Sequence, residues 1–135
     1  MAAAIARAPV EMPLVLHVDD DADTLEITAA SLAGIARVAQ APDLSTARRF
    51  LSENRPDILI LDIALPDGSG LDLVSELAGS DNAGTPIVIY TAQDGGRDLR
   101  EVEAVLTKSK KSLPNLVETI LAIRERQEAS KRRGG

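Results

Sequence analysis

Cysteine and tryptophan are absent from this sequence, and histidine, phenylalanine and tyrosine each occur once. Without cysteine there is no disulfide frame, no thiolate metal centre and no thiol nucleophile, and the composition suits a reducing compartment. A chain of 135 residues is long enough to bury one core without such staples, so a single domain is expected. With only Phe50 and Tyr90 as aromatics, stacking platforms for nucleic-acid bases are missing. Positive charge is also in deficit: Lys+Arg 15 against Asp+Glu 21 gives a net charge of -6, and no basic stripe appears, which excludes general nucleic-acid binding. No apolar run approaches the ~18 residues that span a bilayer. The Ala2-Ala3-Ala4-Ile5-Ala6 stretch is too short for a signal peptide, is followed by Arg7 and is closed by Pro9 and Pro13. The reading is therefore a cytoplasmic protein with an N-terminal lead over 1–13, a domain over 14–129 and a charged tail over 130–135.

The most informative feature present is Asp62. It ends the apolar run Ile58-Leu59-Ile60-Leu61 and precedes Ile63-Ala64-Leu65-Pro66-Asp67-Gly68-Ser69-Gly70. A continuous apolar run of about four to eight residues reads as a strand buried on both faces, as in parallel sheets. Its carboxylate would then emerge at the strand's C-terminal edge, where open α/β sheets bind ligands. Leu14-Val15-Leu16-His17-Val18 likewise runs into Asp19-Asp20-Asp21. Carboxylates crowded at one crevice repel each other, and a hard divalent cation with oxygen ligands, Mg²⁺ in particular, is their natural partner.

Strands and helices alternate about five times along the chain. After the first strand, Asp23-Thr24-Leu25-Glu26 has capping-box spacing and predicts a helix to about Ala33, stopped by Gly34. Ile35–Ala39 reads as the second strand, and Leu44–Asn54 as a helix with Leu44, Ala47, Phe50 and Leu51 on its core stripe. Leu71–Ala78 is a third helix and Pro86–Thr91 a fourth strand. A turn or two of helix is predicted over 97–102. Val105-Leu106-Thr107 is a fifth strand that delivers Lys108, and a closing helix carries Leu113, Leu116, Val117, Ile120 and Leu121 on one face. The alternation predicts a parallel sheet with helices on both faces.

All C-terminal strand ends of such a sheet share one edge, so Asp19, Asp20, Asp62, Thr91 and Lys108 would meet there. The set suits phosphoryl transfer to a carboxylate. An Asp can act as nucleophile, Mg²⁺ on the acids and Lys108 would offset phosphoryl charge, and the Thr91 hydroxyl can hydrogen-bond a phosphoryl oxygen.

Val18-Asp19-Asp20-Asp21, Leu61-Asp62 through Gly70, Tyr90-Thr91-Ala92 and Thr107-Lys108-Ser109 together resemble the receiver domain of two-component response regulators. The likeness runs from about Leu14 to Ala129; each motif alone is weak, and the four in this order are specific. The resemblance implies a flavodoxin-like, doubly wound five-stranded parallel sheet of order 2-1-3-4-5. It also implies Asp62 as phosphoacceptor and Asp20 with Asp62 as direct Mg²⁺ carboxylates. Asp19 would act through a metal-bound water and Ala64 through its backbone carbonyl, with Thr91 and Lys108 on the phosphoryl group. The implied function is a signalling module of a two-component system or phosphorelay. A sensor histidine kinase or phosphotransfer protein would be the donor and a protein, not nucleic acid, the target. Its only implied turnover is slow self-hydrolysis, with Ala64 and Gln93 as positions that set the rate.

Three departures fall in the segment that carries output in this family. The Thr91–Lys108 interval is several residues short, so the fourth helix should be abbreviated. Val105 replaces a frequent aromatic, and Ser109 replaces a proline that often follows a cis bond. Other readings are a haloacid-dehalogenase-like phosphatase using Asp19 and Asp21, and a degenerate receiver acting as a binding scaffold. An EF-hand at Asp19, Asp21 and Asp23 fails because Thr24 and Ala30 stand where glycine and glutamate are required. His17 reads as a satisfied core histidine, Asp21 and Asp23 as helix-start groups, Asp57 as a turn residue, and Lys110 and Lys111 as solvated.

Overall fold

A computed structural model describes residues 12–92, 102–109 and 112–134. In chain order the elements are β1 Leu14–Val18, α1 Ala22–Ser31, β2 Arg37–Ala41, α2 Leu44–Glu53, β3 Ile58–Leu61, β4 Ala64–Leu65, β5 Gly68–Ser69, α3 Gly70–Ala78, β6 Ile87–Thr91, β7 Ala104–Thr107 and α4 Ser112–Gly134. β3 and β6 are apolar at nearly every position because both of their faces are covered. On one face Leu16, Val18, Leu59, Leu61, Ile87 and Ile89 pack with Leu44 and Ala47 of α2 and Leu73, Val74 and Leu77 of α3. On the other, Val15, Ile58, Ile60, Val88 and Tyr90 pack with Leu32 after α1 and with Leu116, Ile120 and Ile123 of α4. Each fully buried leucine or isoleucine in these layers contributes about 2 kcal/mol of transfer free energy.

The main sheet is parallel, in the order β2-β1-β3-β6-β7. Numbered among themselves, its strands run 2-1-3-4-5, as the resemblance implies. The order reverses between β1 and β3, so their C-terminal ends open the crevice that carries the site.

Local boundaries differ from the sequence expectations for identifiable reasons. α1 starts at Ala22 because Asp21, not Asp23, is its N-cap: Asp21 accepts from the Asp23 N–H at 3.1 Å and the Thr24 hydroxyl at 2.7 Å. The helix ends at Ser31. Leu32 to Ile35 then form a turn, with Ile35 and Ala36 N–H both donating to the Leu32 carbonyl and Gly34 at φ 82. That turn consumes Ile35 and Ala36, so β2 begins at Arg37 and pairs from Leu14 onward. Phe50 is half-buried against the α2/α3 layer rather than fully enclosed. α4 continues through Gly134, past Ala129. The short helix predicted over 97–102 falls, apart from Val102, outside the described residues, as do Gln93, Lys110 and Lys111.

The small antiparallel pair β4/β5 was not evident from sequence. It carries Asp67 in its turn, whose carboxylate accepts from the Leu44 N–H at 2.8 Å and the Ser45 N–H at 3.0 Å. Together with Asp43, which accepts from the Thr46 N–H at 2.7 Å, it satisfies the open end of α2. The hydrogen bonds from Leu44 and Ser45 hold the Asp67 carboxyl below its ordinary range. The motif that follows Asp62 is thus partly a structural tie between the site loop and α2.

Candidate functional site

Val18 pairs with Leu61, so the next residues on the two strands, Asp19 and Asp62, stand side by side at the sheet edge. Asp19 is fully buried and Asp62 5% exposed, whereas Asp20 faces solvent. Carboxylate oxygens of Asp19, Asp20 and Asp62 lie within 4.8 Å of one another. β7 pairs with β6 at Thr91 and Thr107, which sends Lys108 over the same edge. Its ammonium lies 2.5 Å from Asp19 Oδ2 and donates to Asp62 Oδ2 at 3.0 Å. Its backbone N–H donates to the Thr91 carbonyl at 2.7 Å, and Thr91 is itself fully buried. Ala64 is exposed and reaches Asp62 Oδ1 through its N–H at 3.4 Å.

The electrostatics follow from burial beside the Lys108 ammonium. Burial raises the Asp19 carboxyl above its ordinary value, against the lowering effects of Lys108 and of the Asp21 N–H, which donates to Asp19 Oδ1 at 2.9 Å. Burial alone would lower Lys108, but its close contacts with the Asp19 and Asp62 carboxylates outweigh that and hold it above its ordinary value. Three clustered carboxylates and one ammonium leave two negative charges uncompensated among the described residues. A divalent cation with oxygen ligands fits that deficit and that donor set.

His17 departs from the expectation of a satisfied core histidine. It is fully buried, but neither ring nitrogen has a hydrogen-bond partner, and Nε2 lies 3.9 Å from Asp19 Oδ2. Burial, aided by Lys108 and opposed by Asp62, lowers its pKa to about 4, so the imidazole is neutral near pH 7. The dehalogenase reading required Asp21 as a second catalytic acid. Asp21 is instead the α1 cap, and Asp19 is enclosed between His17 and Lys108.

Gly70 is a site residue that the sequence reading passed over. It opens α3 so close to the end of β3 that a Cβ there would lie 2.1 Å from the Asp62 carbonyl oxygen. A glycine at the first position of a helix is the signal that could have revealed it, since helix propensity gives no reason for one there. Ser112 is another. Its hydroxyl donates to the Ser109 carbonyl and accepts from the Ser109 N–H, both at 2.9 Å, and it pairs with the Tyr90 hydroxyl at 3.1 Å. Ser109, in the place of the family's proline, is therefore tied to the start of α4, and no cis peptide bond occurs among the described residues. Val105 is half-buried against the α2/α3 layer.

A carboxylate crevice bridged by a lysine thus lies at the switch point of a 2-1-3-4-5 parallel α/β sheet. The response regulator receiver domain family matches residues 15–112, and this chain belongs to it. It is 37% identical over 93 residues to the probable transcriptional regulatory protein TcrX of Mycobacterium tuberculosis, covering 68% of this chain and 39% of TcrX. To the virulence transcriptional regulatory protein PhoP of Salmonella typhimurium it is 34% identical over 86 residues, covering 64% and 38%. The chain thus spans less than half the length of these relatives. The receiver domain of a putative LuxO repressor from Vibrio parahaemolyticus superposes with a TM-score of 0.81 at 23% identity, over 92% of this chain and 98% of that one, and supports the fold. The response regulator TrrA of Thermotoga maritima, in complex with Mg²⁺ and BeF, gives 0.70 at 25% identity over 81% and 99%. The matched unit is a receiver domain, a phosphoacceptor signalling module of the two-component type. Among the described residues no helix is long and apolar enough to cross a membrane.

Proposed function

We propose that Asp62 is the phosphoacceptor and that phosphorylation requires Mg²⁺. The observation that carries this is the bridging of Asp19 and Asp62 by Lys108 inside a crevice whose remaining charge matches one divalent ion. Asp20 and Asp62 would hold the ion directly, Asp19 through water and Ala64 through its carbonyl. Once bound, it would neutralise charge on the phosphoryl oxygens. Lys108 holds Asp62 Oδ2, leaving Oδ1, whose only described contact is the long one from Ala64, as the attacking oxygen. A bond forms from this oxygen to phosphorus as the bond from phosphorus to the donor breaks. Lys108 offsets charge on the product, and the Thr91 hydroxyl is the candidate donor to a phosphoryl oxygen. Slow hydrolysis of the acyl phosphate returns the module to its starting state, with Ala64 and Gln93 setting the rate.

The experiment is intact-protein mass after incubation with acetyl phosphate. Wild type gains one phosphoryl group only when Mg²⁺ is present, and Asp62→Asn gains none. Equal labelling of the variant, or labelling in chelator, would refute the assignment.

The donor is a histidine kinase or phosphotransfer protein in the cytoplasm, and the receiver unit spans 14–129 with flanking segments on either side. A groove beside the site, bordered by Thr24, Ile27, Lys108, Ser109 and Leu113, supports a protein donor. Ile27 is 55% exposed, a large apolar side chain left in water next to the phosphorylation crevice. Ile27→Glu should slow transfer from the protein donor about tenfold, the scale of one lost apolar anchor. Labelling by acetyl phosphate should be unchanged. A parallel loss with both donors would show that the substitution damages the site itself.

A further inference from the structure

Among the described residues, Asp19 Oδ2 is the one buried carboxylate oxygen without a hydrogen-bond partner. Its residue is fully buried, the Oδ1 side is taken by the Asp21 N–H, and Oδ2 has the Lys108 ion pair but no well-directed hydrogen bond. Lys108 is shared with Asp62. If Asp62 receives a phosphoryl group, new oxygens arrive beside Lys108 and compete for the ammonium that Asp19 now holds. A buried carboxylate that loses its cation carries a heavy desolvation penalty unless another donor replaces it. Besides the metal-bound water assigned to Asp19 above, one neutral protein donor is in place behind it. His17 is fully buried on β1, both of its ring nitrogens lack hydrogen bonds, and Nε2 is 3.9 Å from Oδ2. A hydrogen bond needs about 2.9 Å, so closure by about 1 Å would pair Nε2 with Oδ2.

We propose that His17 is a positioning residue that donates its Nε2–H to Asp19 Oδ2 when Lys108 turns to the phosphoryl group, holding Asp19 in place through the switch. The proposal rests on phosphorylation at Asp62. It gives the imidazole a function that core packing does not: an apolar side chain would fill the same space without leaving two buried nitrogens unpaired. No proton leaves or enters the pair; the imidazole stays neutral, with the proton on Nε2.

Because the chain contains one histidine, its imidazole nitrogens are assigned without ambiguity in a ¹⁵N-labelled sample. Long-range ¹H–¹⁵N spectra are recorded with Mg²⁺ before and after beryllofluoride, a phosphoryl mimic. The expected result is the Nε2–H tautomer after addition, with its proton shifted downfield and protected from solvent exchange. Amide shifts with an unchanged imidazole, or with the proton on Nδ1, would overturn the proposal. No amide shift at all would overturn it along with the Asp62 assignment, which the mass measurement tests separately. In a second arm, His17→Leu should weaken beryllofluoride binding about tenfold or more, the scale of a hydrogen bond to a charged group. His17→Gln, which keeps an N–H donor, should recover most of that loss. Equal weakening in both variants would reduce His17 to packing.

Discussion

Gly70→Ala is expected to lower the melting temperature by roughly 10 °C and to suppress phosphorylation of the protein that remains folded. The added Cβ would sit 2.1 Å from the Asp62 carbonyl oxygen, 3.0 Å from the Asp62 carbonyl carbon and 3.1 Å from Leu61 Cγ. Two of these atoms are backbone at the end of a fully buried strand, so no side-chain rotation relieves the contact. Either α3 moves outward, opening the layer formed by Leu73, Val74 and Leu77, or the Asp62 peptide is displaced. Overpacking of this kind costs about 3 kcal/mol. Displacement of the peptide also moves the carboxylate away from Lys108. Gly79→Ala is the internal control, because a Cβ there meets nothing within 4 Å. Thermal melts of the two variants with acetyl phosphate labelling decide the matter. A Gly70→Ala protein that melts with wild type would show that α3 is not seated against Asp62 in solution.

Asp19→Asn is expected to stabilise the protein by about 1 kcal/mol at pH 7 while reducing phosphorylation severely. Asp19's folded pKa is raised above 3.8 because burial penalises its ionised form more than Lys108 and the Asp21 N–H favour it. The folded protein therefore binds more protons than the unfolded chain between 3.8 and the raised value. Above that window the ionised group is a net penalty, and the variant gains its full advantage. As pH falls through the window the wild type recovers, and below 3.8 both states are protonated and the difference vanishes. Denaturant titrations at neutral pH and near pH 3 read this directly. A variant less stable than wild type at neutral pH would mean that the Lys108 pair outweighs burial. The functional loss has a separate cause: the substitution removes one of the carboxylates that would attract Mg²⁺ and releases Lys108 from half of its bridge. Stability withheld to keep charges crowded is a common feature of sites built for chemistry.

The sequence made the sheet legible because the strands at its centre are covered on both faces and read as unbroken apolar runs, and because a parallel sheet sends every C-terminal strand end to one edge. That is why Asp19, Asp20, Asp62 and Lys108 could be grouped without coordinates: they follow their strands directly, and strand direction alone brings them together. Helix starts were harder. Asp21 and Asp23 both have the chemistry of a cap, and only the backbone path after β1 selects Asp21. The second strand slipped from Ile35 to Arg37 because the turn after α1, with Gly34 in the left-handed region, consumes two residues that look like strand.

What the sequence determined by itself, then, is the alternation of elements and the chemistry at their ends, since both depend on the order of residue types along the chain. Tertiary structure alone decided what each group faces. It gave Asp67 to the open end of α2, pressed Gly70 against the Asp62 carbonyl, placed Lys108 between two carboxylates and left the imidazole of His17 unpaired behind one of them. Distance and burial across strands remote in sequence set these relations, and both are properties of packing that no local pattern encodes.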